Sequence, residues 1–231
     1  GKVTNYWGGS SNATTHLLDA MHYIGLLRVV RREKGIRLYA VHEHPSLNLT
    51  EAERHAKMDA LIDTVVNLYA PLSRPSLSYY VRRLRFAAPQ WKTEIPGGLQ
   101  RAMKRLGHAK IDEVDWHFPA KEKIGGVVEE RVRFLAPFDP VVHVRGRFET
   151  LWGWTYRFEA YKPVSKRELG YYAMPLLWRA QVIGWANLSM KGGRLEAEFG
   201  YVESKPREPA FQRELDVELE RMRVFLNARA R

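Results

Sequence analysis

The hydrophobic pattern changes period twice along the chain, and each change marks a different kind of element. Near the start, Ser10, Ser11 and Asn12 are all suited to capping a helix, and Ala13, Leu17, Met21 and Ile24 then follow at helical spacing, predicting a helix with one buried stripe that Gly25 ends. Leu26–Arg32 and Ile36–Val41 predict two strands around Glu33-Lys34-Gly35, whose glycine tolerates the turn. Thr50 and Glu53 form a capping box that opens a helix to about Tyr69. Pro71 and Pro75 punctuate the loop before a helix at Ser76–Phe86. Pro96-Gly97-Gly98 introduces another at Leu99–Leu106, which Gly107 stops. Lys110–Phe118 and Val127–Leu135, joined through Gly125-Gly126, predict a second hairpin.

Beyond a short helix near Arg145–Leu151 the period becomes two. Leu195, Ala197, Phe199 and Tyr201 alternate with Glu196, Glu198 and Gly200, the signature of a half-buried strand. Tyr156–Tyr161, Gly170–Trp178 and Val182–Met190 predict three more strands, and Gly192-Gly193 the last hairpin turn. The tail returns to helical spacing, with Phe211, Leu215, Leu219, Met222 and Leu226 on one face. The expected fold is α+β: tandem winged-helix units, the first one partial, followed by a small antiparallel β-sheet or partial barrel and a C-terminal helix. The expected domains are 1–45 (second half of a winged helix, recognition helix and wing), 46–136 (a complete winged helix) and 137–231 (the β subdomain with its helix). The stripe at Ala13, Leu17 and Met21 calls for a cover, either residues preceding Gly1 or another part of the structure.

Charge narrows the partner. The formal net charge is +11 and the pI about 9.9, which favours a polyanion. Residues 1–108 hold 16 Lys/Arg against 8 Asp/Glu, a net of +8, and 109–231 hold 21 against 18, a net of +3, so a phosphate backbone is expected on the first half. The chain has no cysteine, which removes disulfides and thiolate metal sites. No run approaches the ~18 apolar residues of a membrane span, and no signal pattern opens the chain. A cytoplasmic, nucleoid-associated protein without membrane contact is expected.

Candidate DNA-binding residues follow. On the first helix, Asn12, Thr15, Asp19 and His22 turn away from the stripe, with Ser11 and His16 beside them. Ser11, Asn12, Thr15 and His16 lie in its N-terminal turns, where recognition helices read bases or phosphates. The adjoining hairpin carries Arg28, Arg31, Arg32, Lys34 and Arg37 within ten residues, suited to lying along a groove or backbone. Arg82, Arg83 and Arg85 alternate with Tyr79, Tyr80, Val81 and Phe86. Such a run either tracks a strand by charge and stacking or belongs to a helix that buries Tyr79, Val81 and Phe86. Arg101, Lys104 and Arg105 are spaced as one exposed basic patch, read as a solvated face.

Other chemistry is thinner. His42-Glu43-His44 offers two histidines on an extended segment but no third ligand, so neither metal nor cofactor is expected. Gly8-Gly9 and Gly192-Gly193 lack the flanks of a phosphate loop, and no serine sits in a nucleophile elbow. Asp139, between Phe138 and Pro140, is the sharpest carboxylate. It reads either as a desolvated base or, preferably, as a turn residue bonded to backbone amides.

The stretch Leu135–Leu188, with its Pro-Phe-Asp-Pro corner and Tyr- and Trp-rich strands, resembles the C-terminal half of the YcaQ/AlkZ-like winged-helix DNA glycosylases, and Tyr6-Trp7-Gly8-Gly9 through Tyr39 resembles their middle winged helix. The resemblance implies DNA repair on double-stranded DNA, damaged or crosslinked: excision of bulky N7-alkylated bases or unhooking of interstrand crosslinks. Because a cationic alkylated purine is already a good leaving group, deep base flipping is not demanded. The family's catalytic signature is a glutamine, an apolar residue, then glutamine or aspartate, in an N-terminal winged helix. Gln90-Trp91-Lys92, Gln100-Arg101-Ala102, Gln181-Val182-Ile183 and Gln212-Arg213-Glu214 do not fit it. The family's acidic residue near the corner is replaced by Val144. No catalytic residue is therefore assigned, and the expected role is DNA binding and scaffold, with the signature on an upstream segment of the same gene product. The competing readings are a non-enzymatic, regulatory winged-helix protein and a remnant without DNA affinity.

Overall fold

The computed structural model describes residues 1–5, 8–43, 48–123 and 125–229. They form two compact units, Gly1–Thr50 and Glu51–Arg231. The secondary structure is mixed, with helices and several small antiparallel sheets and no closed barrel among the described residues.

In the first unit, β1 (Lys2–Thr4) pairs with β2 (Ser10–Asn12), a hairpin the sequence pattern did not announce. Asn12 then caps α1 (Ala13–Tyr23), its side-chain oxygen accepting from Thr14 N at 2.9 Å. β3 (Leu27–Glu33) and β4 (Ile36–Val41) form the expected hairpin. Lys34 and Gly35 supply its turn with φ of 48° and 83°, the two left-handed residues a tight hairpin turn requires. The expected buried stripe is not buried. No residue of α1 is, Leu17 is 59% and Ile24 67% exposed, and Leu18 and Met21 are only half-buried. Tyr6, Trp7 and His44, which entered the sequence reading, lie outside the described residues.

The second unit holds the core. α2 (Glu51–Tyr69), α3 (Arg74–Ala87) and α4 (Ile95–Arg105) pack around Met58, Ile62, Val66, Leu77, Val81 and Ala102. The α2 residues recur every four positions, which stacks them on one stripe. α4 starts four residues before its expected onset, because Pro96 is tolerated in a first turn. Gly98 stays inside α4 because a Cβ there would sit 2.8 Å from Ile62 Cδ1 and 2.9 Å from Met58 Cγ, so only glycine allows α2 this close.

Two strand expectations need correction. Lys110–Phe118 does not pair with Val127–Leu135. It folds on itself as β6 (Gly107–Ile111) and β7 (Val114–Phe118), with β5 (Leu72–Ser73) on the other edge of β7. The turn is Asp112-Glu113, both at positive φ, and no glycine marked it. β8 (Val132–Phe134) instead joins the C-terminal sheet, whose order is β11-β10-β9-β8, with β9 (Met174–Trp178), β10 (Gln181–Lys191) and β11 (Arg194–Tyr201). It takes the place expected for Tyr156–Tyr161, which is not a strand. There the alternation breaks at Glu159, 2% exposed, whose carboxylate accepts from Glu168 N (2.8 Å) and Leu169 N (2.7 Å) and ties the segment to its own loop. α7 (Pro209–Arg229) covers one face of the sheet with Phe211 and Leu215. α5 (Pro140–His143) and α6 (Arg145–Trp152) bring Val142 and Phe148 together with Leu135, Tyr156 and Val182 in a separate cluster. Among the described residues no helix is long and apolar enough to cross a membrane.

Candidate nucleic-acid interface

Which arginines are free to meet an anion is decided by which have a carboxylate already. Arg101 of α4 donates through Nε to both oxygens of Asp59 at 3.0 Å, and Arg105 reaches Asp63 at 2.7 Å and Asp59 at 3.4 Å. Both arginines also donate to α2 carbonyls, those of His55 and Asp59. The pairing with Asp59 holds the Arg101 guanidinium above its ordinary pKa, against a smaller opposing effect of burial. Arg101 and Arg105 are thus a clamp between α2 and α4, not the exposed patch their spacing suggested.

α3 is the opposite case. Leu77, Tyr80, Val81 and Leu84 face the core, which turns Arg82, Arg83 and Arg85 outward. Tyr79 and Phe86 remain 52% and 50% exposed, so of the two readings of this run, burial holds for Val81 alone. Among the described residues the three arginines pair with no carboxylate. Arg83 donates to the Tyr79 hydroxyl at 3.2 Å and lies 5.5 Å and 5.9 Å from the Tyr79 and Phe86 ring centres, while Arg85 lies 4.6 Å from that of Phe86. These cations are held over rings rather than neutralised. With Pro75 and Ser78 the face encloses a groove of about 430 Å³.

Behind α3 lies a cationic centre that sequence reading missed. Tyr80 stacks on Tyr69 (4.1 Å between centres), and its hydroxyl lies 3.1 Å from His143 Nδ1. Burial pushes Tyr80 up to about 12, which keeps the phenol protonated. Burial, then Arg145, Arg83 and Arg147, hold His143 below the ordinary imidazole value, so it is neutral at pH 7. Arg147 is 3% exposed and donates to the carbonyls of Tyr69, at the C-terminus of α2, and Pro140. A helix C-terminus is a natural seat for a cation without a carboxylate. The signal available was the spacing of His143, Arg145 and Arg147 in an aromatic segment, but nothing local distinguishes it from a basic helix start. Asp139, beside this centre, spends one carboxylate oxygen on Val141 N at 2.8 Å and caps α5, which is the turn role preferred from sequence.

In the first unit the candidates divide. Asn12 is committed to its cap, and Ser11 Oγ accepts from Asn5 at 2.9 Å. Thr15 and His16 are exposed on α1. Arg37 is bonded to Asp19 and Tyr39, and Arg31 to Glu33 at 2.8 Å. Arg28, Arg32 and Lys34 are exposed and pair with no carboxylate among the described residues. Among the described residues no group of three or more His, Asp or Glu is placed to hold a metal. A separate, largely apolar cavity of about 520 Å³ lies between the β6–β7 hairpin and α6, walled by Ile111, Val114, Trp116, Phe118 and Leu151.

No solved structure matches the chain. The family model described as DNA glycosylase AlkZ-like matches residues 2–225, nearly the whole sequence. An outward row of un-neutralised arginines on a basic chain is what an enzyme of DNA repair needs to hold its substrate, and the chain belongs to the AlkZ-like DNA glycosylase family.

Proposed function

We propose that residues 1–231 are the duplex-gripping and scaffold portion of a DNA glycosylase that excises bulky N7-alkylated bases or unhooks interstrand crosslinks. The observation that carries this reading is the contrast between arginines already paired inside the protein and those left free on α3. Evolving a charge toward solvent without a carboxylate is of little use to folding, whereas each such cation can replace a condensed counterion on DNA. Helix α1 with the β3–β4 hairpin is read as the recognition helix and wing of one winged helix. The run α2, α3, α4 and the β6–β7 hairpin is read as a second, with the wing shorter than the sequence pattern suggested. Residues 137–231 then act as the scaffold subdomain.

Ser11, Thr15 and His16 on the first helix, Arg28, Arg32 and Lys34 on the hairpin, and Arg82 and Arg83, joined by Arg85, on α3 are the residues we assign to DNA, together with Arg31, which would exchange Glu33 for a phosphate. Asn12 contributes by capping the helix, and Arg37 by fixing it to the hairpin through Asp19. The capping role of Asp139 leaves no group here that we assign to positioning water, so base release is assigned to the family's glutamine signature supplied from outside this sequence. The test is binding of a labelled duplex, with and without an N7-alkylated guanine, as salt is raised. Affinity that falls steeply with salt supports the reading, and affinity that ignores salt removes it.

A further inference from the structure

The segment 136–172 carries a group of exposed aromatic rings that neither the core nor the arginine face of α3 accounts for. Phe158 is the hub, with Phe138 at 5.2 Å, Tyr161 at 5.9 Å and Tyr172 at 5.5 Å, all edge-to-face. Phe138 is 60%, Tyr161 89% and Tyr172 41% exposed. Large rings left in water at one place are a binding surface more often than a packing accident.

The rings are held by side-chain bonds, although residues 153–173 carry no helix or strand beyond the short turn Val164–Lys166. Beneath them Tyr156 is buried, its hydroxyl donating to Ala173 O at 2.7 Å, and the Arg145 guanidinium lies 4.5 Å from its ring centre. Glu159 closes the loop from the other side, bonded to Lys162 at 2.6 Å and to two amides. Asn187 of β10 donates to Leu169 O at 2.7 Å. Burial would raise the Glu159 carboxyl, but Lys162 and those amides outweigh it and hold it below the ordinary value, so the tie persists at neutral pH.

The charge around the rings selects the partner. Arg157 adjoins Phe158 in the chain, Arg167 lies 5.0 Å from the ring centre of Tyr171, the neighbour of Tyr172, and Lys166 is exposed in the same loop; among the described residues none of the three pairs with a carboxylate. The turn carrying Phe138 leads into α5, whose His143 is bonded to Tyr80 of α3, so the rings belong to the same body as the free arginines. Exposed rings bordered by cations fit an alternation of flat base and phosphate. An acidic helix would use the cations and leave the ring faces idle.

We propose that Phe138, Phe158, Tyr161 and Tyr172 form a stacking platform for an unpaired nucleotide of the bound DNA, with Arg157, Lys166 and Arg167 on its flanking phosphates. The platform is open, so it requires no enclosing pocket, and it distinguishes DNA with an extrahelical base from a perfect duplex. The inference rests on the nucleic-acid reading above and adds to it where the strand leaves the helix.

The experiment compares the full chain on a perfect duplex and on one with a single bulged 2-aminopurine, whose fluorescence falls when it stacks. The bulged duplex should bind roughly fivefold or more tightly, the range of one stacked base, with the fluorescence quenched. Tyr161→Ala should remove most of both effects and leave binding to the perfect duplex unchanged. The 89% exposure of Tyr161 makes this a safe substitution for folding. Tyr161→Trp should keep the quenching and Tyr161→Leu should lose it, since stacking needs a ring and not merely apolar area. Equal affinity for the two duplexes, or rescue by leucine, overturns the platform alone. A chain that binds neither duplex overturns the nucleic-acid reading and the platform with it.

Discussion

Replacing Arg82, Arg83 and Arg85 together with alanine should flatten the salt dependence of duplex binding while leaving the fold intact. Each phosphate contact contributes about 0.9 to the slope of log affinity against log salt. Three contacts give up to about 2.7, which over a fourfold rise in salt is a loss of about 40-fold that the variant should no longer show. The cost to folding should be small, since these guanidinium groups leave no buried carboxylate behind. The control is Arg101→Ala with Arg105→Ala. It removes two positive charges from the same unit, but it strands Asp59, whose side chain is 25% exposed. An unsatisfied, largely buried charge of that kind costs about 1–3 kcal/mol or more, a fall in melting temperature of roughly 3–10 °C for a unit this size. Fluorescence anisotropy against a labelled duplex across a salt series reads the slope, and calorimetry reads the melting temperature. If the clamp variant flattens the slope as much as the α3 variant and melts normally, then carboxylate pairing does not sort these arginines and the interface is wrongly drawn.

On the first unit, Arg31→Ala, Arg32→Ala and Lys34→Ala together should lower affinity across sequences and reduce the slope by up to about 2.7. An unchanged slope would take that hairpin out of the interface. Stability should also depend on the histidines. His117 and His143 lie below the ordinary imidazole value of 6.5, chiefly through burial, so the unfolded chain takes up protons first as pH falls. Stability present above about pH 6.5 is then lost progressively below it. Melting curves between neutral and mildly acidic pH should show the decline, and His117→Gln should lessen it; a melting temperature that rises over that interval contradicts the sign. The isolated chain should release no base from N7-alkylated duplex DNA in a glycosylase assay, and Asp139→Asn should change neither stability nor that result, since asparagine caps as well as aspartate.

The helices were legible because their signals are local. The Thr50–Glu53 box, the punctuating Pro75 and the Phe211–Leu215 stripe each mark an element from residues a few positions apart, although α3 opens at Arg74 and takes Pro75 into its first turn. The strands near the middle were not. The turn at Asp112-Glu113 places two non-glycine residues at positive φ, a choice the local pattern disfavours. The assignment of β8 to the distant β9 depends on pairings such as Val132↔Trp178, which no short window contains. The same limit applied to the arginines. Arg82 and Arg101 look alike in sequence, and what separates them is Asp59, forty-two residues from Arg101 along the chain.

This contrast also bears on the proposal that base release is carried by the family's glutamine signature. A glycosylase must place an acceptor where positive charge develops on the sugar and deliver water to it. Within this chain the centre nearest the free arginines is built the other way. Burial, and after it Arg145, Arg83 and Arg147, hold His143 below the ordinary imidazole value, and the adjacent Asp139 carboxylate is turned to a helix cap. Its positive charge would oppose a cationic sugar, and Arg147, buried with both terminal nitrogens on carbonyls, is no phosphate contact itself. We propose that this centre props α3, whose outward arginines hold the backbone, and that the acceptor for the reacting sugar comes from the family's glutamine signature.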